Sequence, residues 1–134
     1  MALVPSKLAK LVVLENRPSH YVHIAEKSGS RHFSFEIGIF EAVALARKID
    51  RPQKEAARPQ THDLAANIIS SLGGTVREVR ITSMKDGTFY GEIVIETEEG
   101  DVTIDSRPSD ALVLAAGAKC DLMVDDSVYA AAAI

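Results

Sequence analysis

The chain has 134 residues, of which 46% are hydrophobic and 25% charged, with a formal net charge of −4 and an isoelectric point near 5.5. This is the composition of one compact globular domain, and its acid excess supplies no global attraction for phosphates, so a polynucleotide partner needs a local basic patch or a metal. The single cysteine, Cys120, excludes an intrachain disulfide, no Cys/His spacing matches a zinc site, and the apolar run at residues 11–14 is too short for a signal core or a membrane span; the expectation is a soluble, cytoplasmic protein without a membrane partner.

In chain order, residues 9–15 (AKLVVLE) read as a strand, and SHYVHIAEKSGSRHFSFEIG as two strands around the Ser28-Gly29-Ser30 turn. From Phe40, the spacing of Phe40, Val43, Ala44 and Ile49 predicts a helix that Arg51-Pro52 ends, followed by a polar linker at about residues 51–60. Thr61 caps a second predicted helix, with Leu64, Ile68, Ile69 and Leu72 on one stripe and Gly73-Gly74 as its stop. Three strand-like segments follow, TVREVRITSM, GTFYGEIVIETEEG and DVTIDS, punctuated by Asp86-Gly87 and Glu99-Gly100. The segment PSDALVLAAGA is helical, and the tail holds a short strand at residues 122–124 and a last helix that Asp126 or Ser127 can cap.

A gapless shift of 69 positions lays Tyr21 on Tyr90, Ile24 on Ile93, Glu36 on Asp105, Glu41 on Asp110 and Ala42 on Ala111. The chain therefore reads as α+β, with two pseudo-repeated β-β-β-α units (about residues 9–50 and 78–119) forming an antiparallel or mixed sheet packed with helices in a single domain spanning residues 1–134. Four of the five prolines follow an arginine, and two of these steps introduce Ser/Thr-Asp: RPQTHD and SRPSD. Pro108 suits a first helical turn because its missing N–H has no intrahelical partner there. A carboxylate at Asp63 or Asp110 can accept from the free N–H groups of that turn, with Thr61 and Ser109 as caps.

The segments RPQTHDL, LGGTVREVRI, KDGTFYGEIVIE and IDSRPSDALVLA together closely resemble the bifunctional nuclease domain family, and FEIGIFEAVALA resembles its first strand-helix junction. The resemblance runs from about residue 11 to about residue 129, with a looser, alanine-rich ending and Gly38-Ile39-Phe40 where the family has a more polar turn. It implies a compact α+β domain, usually oligomeric, whose plant relatives act on RNA and DNA.

Phosphodiester cleavage needs a nucleophile, a proton for the leaving oxygen and neutralisation of phosphate charge. Carboxylates around Mg²⁺ or Mn²⁺ supply two of these functions, with Asp105 and Asp110 as candidate metal ligands and Asp63 as a third acid. Asp105 is alternatively an exposed strand-end acid, and Asp110 alternatively a cap. His62 is a candidate general acid or base, or a loop-stabilising hydrogen-bond partner. Arg58 and Arg107 are candidate phosphate grips, or salt-bridge partners that lock the two helix starts together. The resemblance implies a nuclease acting on RNA and/or DNA by metal-assisted phosphodiester hydrolysis; the alternatives are a non-catalytic oligomeric ligand- or protein-binding module and a hydrolase of small phosphoesters. A homo-oligomer, with a symmetric dimer as the first expectation, is compatible with each.

Overall fold

The computed structural model describes residues 1–14, 16–50 and 58–134. Arg51-Pro52 and most of the expected linker lie outside the described residues. Seven strands form one sheet in the order β3-β2-β1-β7-β4-β5-β6: β1 (Leu3–Val12), β2 (His20–Glu26), β3 (His32–Ile37), β4 (Thr75–Lys85), β5 (Thr88–Thr97), β6 (Gly100–Ser106) and β7 (Asp121–Asp125). Every neighbouring pair is antiparallel except β4 and β7, so the sheet is mixed as expected. Among the described residues four helices complete this single α+β domain: α1 (Ile39–Asp50), α2 (Thr61–Ser71), α3 (Pro108–Ala118) and α4 (Asp126–Ala132).

Local chemistry sets the turns. Asp86 and Gly87 both take positive φ (51° and 79°), the two-residue hairpin geometry that matches the twist of β4 and β5. In the β2–β3 hairpin the Glu26 carboxylate accepts from the Arg31 N–H (2.9 Å) and guanidinium (2.8 Å). The tail helix is capped by Asp125, whose carboxylate accepts from the Ser127 N–H, and not by Asp126 or Ser127 as expected.

Register places one row of apolar side chains on one face of the sheet. Ile24 lies opposite both Leu8 and Phe33, and Val79 opposite both Leu122 and Ile93. Ala42 and Leu45 of α1, residues 111–115 of α3, and Val128 and Tyr129 of α4 join the same core. Tyr129 O–H donates to Ser6 Oγ (2.7 Å), because the serine's own proton goes to the Val4 carbonyl (3.0 Å).

The sheet rolls up. In a flat sheet β3 and β5 would lie five strand positions, about 24 Å, apart, yet Phe89 of β5 stacks on Phe33 and Phe35 of β3 with ring centroids 5.4 and 5.2 Å apart. This closure brings the β3–α1 junction, the β4–β5 turn and the start of α3 to one seam.

Both halves run three strands and a helix, but pairing registers depart from the 69-residue shift. Tyr21 faces Glu36 across β2–β3, whereas Asp105 faces Glu92, not Tyr90, across β5–β6. The large apolar residues of the two helical stripes lie mostly outward. Phe40 is 85% exposed, Leu72 82%, Leu64 53% and Ile68 50%, and α2 has no buried residue at all. In α1 two apolar faces exist, and the one carrying Ala42 and Leu45 turns inward because small residues let the helix approach its neighbours closely.

Candidate functional site

The start of α3 is built by close approach. Arg107 is the N-cap residue in extended conformation, Pro108 is N1, and Gly91 of β5 leaves the space that Pro108 occupies: a Cβ there would sit 3.3 Å from the Pro108 Cα and 3.2 Å from the Ser106 carbonyl oxygen. At α2, Gln60 is the N-cap residue. Thr61 and Ser109 are therefore not the caps expected from the sequence. They are the first and second residues inside their helices, Thr61 exposed and Ser109 buried in the wall of the seam.

Asp110 is the hub of the site, and its partners are side chains. Arg107 grips it with two bonds, Nε to Oδ2 (3.0 Å) and Nη2 to Oδ1 (3.1 Å), and His62 Nε2 lies 2.9 Å from Oδ1. Arg107 Nη2 also donates to Glu41 Oε1 of α1 (2.9 Å). The starts of α1, α2 and α3 are thereby tied together. Burial pushes the Asp110 carboxyl up, but the bonds from Arg107 and His62 outweigh it and hold the acid below the ordinary carboxylate range. An ionised carboxylate only accepts, so His62 Nε2–H donates to Asp110 Oδ1. The bonds to Asp110 and Glu41 likewise raise the Arg107 pKa and keep it charged.

Asp63 has a different task. Lys48 of α1 donates to Oδ1, and the Gln60 N–H to Oδ2 (3.0 Å). These bonds, the lysine's first, lower its pKa. It is a helix-start acceptor and a strut between α1 and α2.

Asp105 is not gathered with either acid. Gly91 and Ser106 are register partners whose side-chain face meets the start of α3, and strand alternation turns their neighbours Glu92 and Asp105 to the other face. The expected convergence of Asp105 and Asp110 on one metal is therefore corrected. Among the described residues no group of three or more His, Cys, Asp or Glu side chains could hold a metal ion. Glu41 and Asp110 share a partner, with the Arg107 guanidinium between them.

Arg58 is exposed and bonds to no described residue, so the link between the two Arg-Pro motifs runs through His62. Glu41 and Lys48 complete the network without having been singled out as site residues. The signal for Glu41 was its alignment with Asp110; Lys48 had none, because a cation in the last turn of a helix reads as a partner of the dipole.

Three clefts surround this network. The seam cleft, about 350 Å³, is lined by Phe35, Glu41, Phe89, Arg107 and Ser109. His62 lines both a small cleft of about 110 Å³ beside Lys48 and Val113 and a larger one of about 510 Å³, where Phe40, Val43, Arg47 and Thr61 form the wall. A partly sheltered imidazole with an oriented Nε2–H, a charged guanidinium and an adjacent cleft can move a proton beside a bound anion. No helix among the described residues is long and apolar enough to cross a membrane.

Two curated relatives, uncharacterized protein Rv1829 of Mycobacterium tuberculosis strain ATCC 25618 / H37Rv and uncharacterized protein MT1877 of strain CDC 1551 / Oshkosh, are each 32% identical over 111 residues, 83% of this chain. The match covers 65% of each relative, so the chain spans less than two thirds of their length. The profile of the bifunctional nuclease domain matches residues 22–134, a span that holds the whole network from Glu41 to Asp110. The chain belongs to the bifunctional nuclease domain family.

Proposed function

We propose that this domain is a nuclease that hydrolyses phosphodiesters of RNA or DNA at the His62–Asp110–Arg107 array. The observation that carries the reading is the imidazole whose Nε2–H is fixed on an ionised carboxylate 2.9 Å away, beside a guanidinium gripped by two acids. Water attacks phosphorus and gives its proton to His62 Nδ1. The bond from phosphorus to the leaving oxygen breaks, and the imidazolium returns the proton to that oxygen. Asp110 positions the ring, and Arg107 balances phosphate charge. Arg47, in the wall of the large cleft beside His62, offers a phosphate partner. Divalent metal enters this reading only as an ion carried by substrate phosphates, and no step runs through it.

A non-catalytic binding module is the second reading, favoured by Asp63, which is fully engaged as a strut. Cleavage of single-stranded RNA and of DNA by highly purified protein, in Mg²⁺, in Mn²⁺ and in chelator, beside an identically prepared His62→Gln variant, separates the two. Nuclease activity is expected in the parent and lost in the folded variant. Equal activity in both, or none in either, would leave the binding module. Cleavage of a small phosphoester but of neither polynucleotide would assign a small-phosphoester hydrolase instead.

Self-association belongs to the same proposal. An 11-residue helix is marginal on its own, and α2 buries nothing, while Leu64, Ile68 and Leu72 are half or more exposed. A second copy that covers these residues and Phe40 of α1 would supply the missing packing. Light scattering after size exclusion is expected to give a dimer or larger for the parent and a monomer for Phe40→Glu/Ile68→Glu; a monomeric parent would refute the interface.

A further inference from the structure

A second cleft, away from His62, gathers cations in an acidic chain. β1 and β7 pair from Leu3↔Asp125 to Ser6↔Leu122 and then part, while β1 goes on pairing with β2 at Lys7 and Leu8. The resulting slot, about 330 Å³, is lined by Lys7, Lys27 and Lys119 around a floor that includes Leu8, Leu112 and Ala115. Three of the chain's seven lysines thus meet at one opening, although the formal net charge is −4. None of the three makes a salt bridge to a described residue, and Asp121 is the one acid in the lining.

The slot is separate from the proposed catalytic site. Eight residues lie between Asp110, in the first turn of α3, and Lys119, the left-handed C-cap residue at its far end. Asp110 faces His62 and α2, whereas Leu112, Ala115 and Lys119 face β1 and β7. The size lies within the range of small-molecule sites, and the lining combines a mainly apolar floor with convergent charge.

We propose that this slot binds a nucleoside diphosphate, with the base against the apolar floor and the diphosphate among Lys7, Lys27 and Lys119. Ammonium groups suit this ligand because each is a compact point charge with three donors, able to follow two linked phosphates without the fixed geometry of a guanidinium. The backbone of β1 where it leaves β7 supplies further hydrogen-bonding groups to the base.

The test uses the full chain, with ADP, pyrophosphate and adenosine as probes in titration calorimetry. Cys120 is a built-in reporter, since the chain's single cysteine is half-buried in the slot wall and its alkylation slows when the slot fills. ADP is expected to bind saturably, more tightly than pyrophosphate or adenosine, and to protect Cys120. The exposed positions allow Lys7→Gln/Lys27→Gln/Lys119→Gln without loss of fold, checked by circular dichroism, and this variant is expected to lose at least about tenfold in affinity, equivalent to losing about one charge-assisted bond. His62→Gln is expected to bind ADP as the parent does. No saturable ADP binding, unchanged affinity in the lysine variant, or ADP binding abolished by His62→Gln would overturn the assignment.

Discussion

Truncating Phe33 to alanine is expected to cost about 3–5 kcal/mol of folding stability, a large part of the 5–15 kcal/mol typical of a domain. Phe33 is fully buried and touches three other rings: Phe35 beside it on β3, Phe89 of β5 (5.4 Å between centroids) and Tyr129 of α4, edge-on at 5.3 Å. The contact to Phe89 exists only because the sheet closes, so the loss reports the closure as well as the cavity. Urea unfolding of Phe33→Ala, Phe89→Ala and the double variant measures both. A coupling between the two rings of about 0.5–1.5 kcal/mol is expected, whereas additive losses would mean that β3 and β5 do not meet in solution. The seam cleft and the start of α3 depend on the same closure, so the double variant should also disturb the network around Arg107.

Asp110→Asn is expected to lower nuclease activity by about 10²–10⁴-fold while the protein stays folded. The amide keeps the shape of the side chain, but it no longer offers two charged acceptors, so Nε2 of His62 is no longer held as the donor and Arg107 loses half of its counter-charge. A fall in kcat with a smaller change in KM would mark Asp110 as a positioning residue acting through His62. The same substitution has a signature in stability. The folded-state pKa of Asp110 is depressed, so its contribution is present above the unfolded carboxyl value, about 3.9, and is lost as pH falls through the lower folded value. Acid unfolding followed by circular dichroism should therefore show the parent more stable than Asp110→Asn at neutral pH, with the gap closing in strong acid. A gap that stays constant down to the acid limit would mean that Arg107 and His62 do not hold the carboxylate.

The order of elements was legible from residue 20 onward because it rests on local chemistry. Alternating strands, the Asp86-Gly87 turn, Pro108 at a first turn and Gly73-Gly74 after a helix each act within a few residues. The Arg-Pro motifs likewise marked the segments where α2 and α3 begin, and His62, Asp110 and Arg107 within them do meet. Three matters were decided only by tertiary structure. Helical spacing shows that α1 and α2 have apolar stripes but not which stripe faces inward, because that depends on which neighbour packs closely; Phe40, Val43 and Leu64 lie outward. Asp105 and Asp110 are close in sequence, yet the alternation of β6 turns one away from α3 while the helix start directs the other to His62. The junction of three helix starts at Arg107 requires the sheet to roll until β3 meets β5, and a curvature summed over seven strands is written in no single segment of the chain.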